Sequence, residues 1–395
     1  MKISVIGTGA QGSSITFILA KISEAEVVAA DINLDVARKV VDSIKSDKVS
    51  AERVDAGKVD DLLRVVKGSD TVINATIPRF NLNIMNAALK SGACYVDIGS
   101  GNPVKDAVIR QLALDNKFKD AELTAVVYQG GPYATQVAVR YAVDRLDRVD
   151  EILMRLGWTE ESEEFIPTWA PDWCPEVALT EWIDPPTIYE NGKFKEMPPF
   201  SGVEEYPFPK PVGPITVCHV DYPTIRTLAR FIGKGVKYID YKSSPDKMAG
   251  ALIKMGLASD KPINVKGVKV APRDVLLTLT PPASEITTKM EQELLRSKTE
   301  SYSCSLAEVK GEKDGEKITH TVYRISSSRE DYERWGTTGA GVAIPTVVTA
   351  TMLAKREIKT KGVMPTEGLE PEPFLAKLAE KGWIFQERIT KEIRP

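Results

Sequence analysis

The chain opens on a pattern that few folds can absorb. An apolar run, Lys2-Ile3-Ser4-Val5-Ile6, meets a glycine-rich turn, Gly7-Thr8-Gly9-Ala10-Gln11-Gly12. A helical stretch follows, then a second apolar run, Val27-Val28-Ala29-Ala30, which ends on Asp31. The helical stretch carries Ile15, Ile18 and Leu19 on one face, at i, i+3, i+4. Strand, turn, helix and strand in that order predict the first βαβ unit of a parallel sheet, with a turn shaped for a dinucleotide. Gly7 permits the tight turn, Gly9 lets the backbone approach a pyrophosphate, and Gly12 lets the helix lie close to the strand. The free N–H groups of the helix start then face the phosphates. The plainer alternative is a glycine-rich turn that binds nothing.

Asp31 lies 19 residues after Gly12, near the roughly 20 expected of the acid that holds a ribose 2′-OH. A carboxylate there accepts from the hydroxyl and repels a 2′-phosphate. No Arg or Lys follows at once; the next residues are Ile32 and Asn33. NAD is therefore the expected cofactor, and NADP the less favoured one.

Strand and helix patterns go on alternating to about residue 130. Apolar runs at Thr71–Asn74, Cys94–Asp97 and Leu123–Val127 are separated by helical stretches around 60–66, at 84–89 and at about 103–118. That alternation predicts a doubly wound parallel sheet. Ligands of such sheets sit beyond the carboxyl ends of the strands. The rule gathers Asp31, Asp55-Ala56, Asn74-Ala75-Thr76 with Pro78, Asp97 to Ser100 and Tyr128 to Pro132 around one crevice. Asp55 and Ala56 would flank the adenine, or form a helix cap. Asn74 to Pro78 would line the nicotinamide ribose, although Pro78 also suits the start of a helix.

After residue 133 the character changes. A helix over 134–145 leads to a strand with Ile152, Met154 and Leu156 on one face. Residues 159–214 read as a long loop, rich in proline and tryptophan, with short strands around the Asn191-Gly192 turn. Its tryptophans either fill a core or touch a substrate. Strands at 216–220 and 236–241, a helix over 246–257 and a hairpin over 303–324 turned at Lys313-Asp314-Gly315-Glu316 predict an α+β unit with a mixed or antiparallel sheet. From Gly336 the pattern is helical again. The expected division is 1–132 for the dinucleotide, 133–335 for substrate and pairing, and 336–395 as a helical segment returning to the first unit.

Composition narrows the function classes. The chain has 395 residues, of which 43% are hydrophobic and 27% charged, as in an ordinary globular protein. Its 52 basic and 55 acidic residues nearly cancel and form no long run of one sign, which argues against nucleic acid or an anionic membrane as partner. No apolar run reaches the roughly 18 residues of a membrane span. The first strand starts at residue 2, leaving no room for a signal peptide, so a cytoplasmic protein is expected. Four scattered cysteines and two histidines predict neither a disulfide framework nor a metal site.

The order of several short segments resembles the saccharopine dehydrogenase-like family, which includes saccharopine reductases and lysine 6-dehydrogenases. The resemblance rests on Gly7–Gly12 with Asp31, Asn74-Ala75 with Pro78, Ala87-Ala88-Leu89-Lys90-Ser91-Gly92 and Tyr95-Val96-Asp97. It continues in Asp260-Lys261-Pro262, Gly267-Val268-Lys269-Val270 with Pro272-Arg273, and Pro371-Glu372-Pro373-Phe374. It implies hydride transfer between nicotinamide and the C–N carbon of an amino acid or its imine, and a homodimer. The sequence departs from the family where a His-Pro-Glu segment and a Thr-Leu-Pro-Arg segment are usual. Here they read Tyr222-Pro223-Thr224 and Thr227-Leu228-Ala229-Arg230. Lysine 6-dehydrogenase-type oxidation and a non-catalytic NAD-binding role therefore stay open beside the imine reductase reading.

Candidate catalytic groups are Asp97, which could move a proton or hold an ammonium or else cap a turn, and His219, an acid or base near neutral pH or else a structural histidine. Candidate substrate contacts are Gln129, Gly130, Tyr222 and Arg230, the last as a planar fork for a carboxylate.

Overall fold

The computed structural model describes residues 1–101, 104, 106–131, 133–159, 169–296 and 300–392. The first half winds β1 (Lys2–Ile6), α1 (Ala10–Ile22), β2 (Glu26–Asp31), α2 (Leu34–Ile44), β3 (Val49–Arg53), α3 (Val59–Val66), β4 (Thr71–Asn74), α4 (Asn81–Ser91), β5 (Cys94–Asp97), α5 (Ala107–Leu112), α6 (Asp115–Asp120) and β6 (Thr124–Val127). The strands form one parallel sheet, ordered β3-β2-β1-β4-β5-β6. Their cores are short continuous apolar runs, as a strand covered on both faces requires. Chain order reverses between β1 and β4, which makes their carboxyl ends the switch point of the sheet. The long helix expected to begin at Pro103 starts outside the described residues. Within them it is two helices, because the chain turns at Ala113-Leu114.

The next stretch comprises α7 (Thr135–Asp144), β7 (Arg148–Trp158), α8 (Pro175–Ile183), β8 (Thr187–Glu190), β9 (Lys193–Glu196), β10 (Glu204–Pro207), β11 (Pro214–His219), α9 (Thr224–Phe231), β12 (Tyr238–Ser243) and α10 (Lys247–Lys254). Then come the small hairpin β13 (Ile263–Val265) and β14 (Val268–Val270), α11 (Pro272–Leu279), α12 (Ala283–Arg296), and the long hairpin β15 (Tyr302–Lys313) and β16 (Glu316–Ser327). The second sheet is mixed: β7 and β12 run parallel, and its other pairings are antiparallel. The β15–β16 hairpin turns on Asp314 and Gly315, both with positive φ, as a two-residue turn matched to strand twist demands. The segment read as a long loop contains α8, a nine-residue helix opened by Pro175. The tryptophans there belong mainly to the core: Trp169 and Trp182 are buried, and Trp182 stacks on Phe200 at 5.0 Å.

The last elements are α13 (Ser328–Trp335), α14 (Ala340–Ala354), β17 (Gly362–Pro365), α15 (Pro371–Glu380) and β18 (Gln386–Lys391). This segment supplies strands as well as helices. β17 joins the parallel sheet beside β6, and β18 joins the mixed sheet beside β16. α14 is apolar nearly all round and packs against α1, so it is a core helix. No single described helix is long and apolar enough to cross a membrane.

Candidate functional site

Because every strand of the first sheet runs the same way, Gly7, Asp31, Asp55, Asn74, Asp97 and Tyr128 all emerge along one edge. The glycines of the first turn are required for different reasons. Gly7 has φ +92°, and a Cβ there would stand 2.9 Å from the Ala75 carbonyl oxygen. A Cβ on Gly12 would stand 1.9 Å from the Gly7 carbonyl oxygen. A Cβ on Gly9 would meet no protein atom within 4 Å, so the fold itself does not demand glycine there. What it preserves is open backbone at the start of α1, whose Gly9 cap makes no side-chain hydrogen bond to the helix N–H groups. That cradle fits a pyrophosphate, with Ala10, Gln11 and Gly12 supplying N–H groups.

Asp31 accepts from the Thr8 N–H at 2.8 Å, the Thr8 hydroxyl at 3.2 Å and the Asn33 N–H at 3.0 Å, which ties the glycine turn to the end of β2. Asn33 caps α2 through the Asp35 N–H. Ile32 is 62% exposed on the rim, a flat apolar surface of the kind an adenine covers. Arg53 on β3 is in register with Asp31, which places a cation on the strand next to it, with its guanidinium 3.9 Å from Asp61; reading along the chain did not reveal this. Asp55 turns inward to the Gly57 N–H at 3.0 Å, and the Ala56 carbonyl accepts from Asn83, so both close a turn. Asn74 is fully buried. Its oxygen holds Thr76, and its amide donates to Asn81 and to the Tyr95 hydroxyl. It sets the 75–78 loop against Gly7, and Pro78 opens a short 3-10 turn.

Asp97 does not face the crevice as a free acid or base. It is wholly buried, and its carboxylate accepts from the Tyr128 N–H at 2.9 Å, the Ser100 hydroxyl at 2.8 Å and Gln111 at 2.5 Å. Burial pushes its pKa up to about 6, against the pull of those donors. Its work is to hold Tyr128, whose φ of +64° is costly for a side chain of that size. The Thr366 hydroxyl holds the Tyr128 carbonyl from the other side at 2.9 Å. Tyr128 meets Tyr222 edge-on at 6.1 Å, and Tyr222 stacks on Tyr241 of β12 at 4.4 Å. A Cβ on Gly131 would touch both Tyr128 and Tyr222. The structure thus brings Asp97, Gln129, Gly130 and Tyr222 together; Pro132 lies outside the described residues.

His219 and Arg230 are elsewhere. His219 shares the face of the mixed sheet opposite to Tyr241 and is covered by Ser201 and Gly202, with Ser201 at 3.2 Å and Asp240 at 3.6 Å. It lies beside a buried ion pair in which Arg155 binds Asp240 at 2.6 Å. Burial alone would raise the Asp240 pKa, but His219 and Arg155 outweigh it and hold the carboxyl low. Alternation along the strand placed a polar residue on a face that an earlier segment covers, which gives a structural histidine. Arg230 is exposed at the far end of α9, over the Phe194 ring and bonded to the Arg226 carbonyl. One turn earlier, Arg226 stands nearer the crevice, 3.5 Å from Asp221, 3.9 Å from Asp106, and bonded to the Thr187 hydroxyl.

Reading the chain missed Glu181 and Asp221. Glu181 lies on α8 in the field of Tyr128, Tyr133, Tyr222 and Tyr241. Burial, then the charge of Asp221, pushes its pKa up to about 8. Burial drives all four tyrosines above their ordinary range, so they stay neutral. Asp221 is buried beside Arg226. The signal for Glu181 was a carboxylate three residues after Ala178 on the apolar face of a helix.

The matches to known proteins agree with this layout. Residues 3–126 match the saccharopine dehydrogenase NADP-binding domain, and residues 115–383 match the saccharopine dehydrogenase C-terminal domain. The chain is 25% identical to carboxynorspermidine synthase of Vibrio cholerae, over 98% of this chain and 97% of that protein. It is 24% identical to carboxyaminopropylagmatine dehydrogenase of Synechocystis, over the same shares. The structure of saccharopine dehydrogenase (L-Glu forming) from Saccharomyces cerevisiae shares the fold, with TM-score 0.69 at 16% identity over 99% of this chain and all of that one.

Proposed function

The chain belongs to the saccharopine dehydrogenase family of pyridine-nucleotide oxidoreductases acting on C–N substrates, and from that premise we propose that its substrate is a carboxylated polyamine or the imine that precedes it. The observation that carries this reading is the pair of acids, half-buried Glu181 and buried Asp221, among neutral tyrosines beside the cofactor crevice. A polyamine brings several positive charges, and a carboxyl poised near neutrality can answer one of them by ionising. The relatives in Vibrio and Synechocystis carry names of polyamine enzymes, which supports the same class.

When bound, the nucleotide supplies or accepts the hydride. The chain's own residues position and protonate. Tyr128, Tyr222 and Tyr241 form an aromatic wall against which an extended aliphatic amine lies. Asp221 attracts a distal ammonium. Glu181, with a pKa near neutrality, takes the proton that leaves nitrogen when the amine is oxidised, and returns it when the imine is reduced. Arg226 is the cation within reach of Asp221 that can meet a substrate carboxylate.

We read NAD as the preferred nucleotide because Asp31 disfavours a 2′-phosphate, with Arg53 as the opposing influence. The unpaired thiols of Cys94, Cys174, Cys218 and Cys304 fit a reducing compartment such as the cytoplasm. A homodimer suits the apolar side chains exposed on the β13–β14, α11 and α12 arm.

The test is spectrophotometric. The chain is mixed with reduced nucleotide, diaminopropane and an α-amino acid bearing a terminal aldehyde, and nucleotide oxidation is followed. Turnover that requires both amine and aldehyde supports the proposal. Turnover with saccharopine or lysine in the oxidative direction, and none with the diamine pair, overturns it.

A further inference from the structure

The Gln129 side chain lies buried beside the crevice with no bonding partner to explain it. It follows Tyr128 at the carboxyl end of the sheet strand β6 and is wholly buried. Neither its Oε1 nor its Nε2 has a hydrogen-bond partner among the described residues. A buried primary amide without partners is unfavourable at both atoms, and native proteins rarely tolerate it. Yet the surrounding chain is built to hold this residue in place. The Gln129 N–H donates to the Asp97 carbonyl at 2.9 Å. Tyr128 before it is held in a left-handed conformation from two sides, by Asp97 and Thr366. After it, a Cβ on Gly130 would stand 2.3 Å from the Ile98 carbonyl oxygen. Backbone strain concentrated around one unpartnered side chain points to a ligand.

We propose that the Gln129 side chain pairs with the carboxamide of bound nicotinamide, donor to acceptor and acceptor to donor, and so sets which face of the ring meets the substrate. The proposal rests on the pyridine-nucleotide reading of the crevice. The two orphaned atoms select among ligand groups. A substrate ammonium offers only donors and would leave Nε2 unpaired. A carboxylate offers only acceptors and would leave Oε1 unpaired. A carboxamide answers both. Position agrees: β6 lies beyond β4 and β5, across the switch point from Asp31. A dinucleotide with one ribose at Asp31 and its pyrophosphate at Gly9 extends its other half over the ends of β4, β5 and β6. No hydrogen bond holds the amide in its present rotamer, so turning it into the crevice breaks none.

The experiment is calorimetry on the full chain with three probes: ADP-ribose, the nicotinamide dinucleotide, and its acetylpyridine analogue, which keeps the ring carbonyl but lacks the N–H donors. The wild-type chain should bind the analogue about tenfold more weakly than the carboxamide nucleotide. Gln129→Met should bind the two alike, with its ADP-ribose affinity unchanged. Equal binding of both nucleotides by the wild type overturns the proposal, and so does a folded variant that keeps the wild-type preference. Should Gln129→Met lose ADP-ribose binding, and with it evidence of folding, the wild-type ratio alone decides. Failure of the wild type to bind any of the three probes overturns the cofactor reading itself, an outcome separate from loss of discrimination.

Discussion

Glu367 offers a quantitative check on the electrostatics beneath the site. It lies in the short turn after β17, 1% exposed, beside Thr366, which holds the Tyr128 carbonyl. Burial pushes its pKa from 4.5 to about 7, and the Thr227 hydroxyl and the Arg140 charge recover only part of that penalty. The rise corresponds to about 3 kcal/mol. The sign follows from linkage. Between pH 4.5 and about 7 the unfolded chain ionises this carboxyl while the folded chain keeps it protonated, so stability falls as pH rises through that window and levels off above it. Glu367→Gln removes the titration. Its amide places a donor where Oε1 has no partner, which costs about 1–2 kcal/mol at every pH. The variant should therefore be more stable than wild type by about 1–2 kcal/mol at pH 8, and equal or slightly less stable at pH 5. Urea unfolding of both proteins at the two pH values measures the difference directly. A variant destabilised equally at pH 5 and pH 8 would refute the reasoning, since it would mean that Glu367 is ionised in the fold without penalty.

Asp31→Ser should narrow the gap between NAD(H) and NADP(H) binding by removing repulsion of the 2′-phosphate beside Arg53; calorimetry showing that wild type prefers NADP(H) would reverse the assignment. Glu181→Gln should lower turnover by about 100-fold while leaving nucleotide affinity unchanged, and should flatten the pH–rate profile near 8, where the wild-type amine oxidation rate rises as the carboxyl loses its proton. A profile that keeps its limb near 8 in the variant would clear Glu181 of the role. The protein should scatter light as a dimer at micromolar concentration, and Leu279→Glu, at a side chain 76% exposed on the arm, should yield monomers; an unchanged mass would place any pairing surface elsewhere.

Much of the first sheet could be read along the chain, because its information is local. Gly7, Gly9 and Gly12 act through their missing Cβ atoms, Asp31 ends an apolar strand, and alternating strands and helices of ordinary length imply a parallel sheet. Helix α8 was lost in the proline-rich stretch because its nine residues span only about two and a half turns, too few for a period to stand out. The side chains opposite the crevice could not be read in this way. Asp97 and Glu181 are both carboxylates with raised pKa values, yet one is saturated by donors from Ser100, Gln111 and Tyr128, and the other sits among tyrosines contributed by distant segments. His219 and Tyr241 lie on adjacent strands, and only the alternation of faces, one of them covered by Ser201 and Gly202, separates a structural histidine from a wall of the crevice. Arg226 and Arg230 share one helix, and the packing of its first turn beside Asp106 and Asp221 decides which one stands near the crevice. The sequence by itself determined the glycine-rich turn and the fold class, since backbone sterics and apolar periodicity act within a few residues. Tertiary structure alone decided which polar groups are left without partners near the crevice, because desolvation and pairing depend on segments tens of residues apart or more.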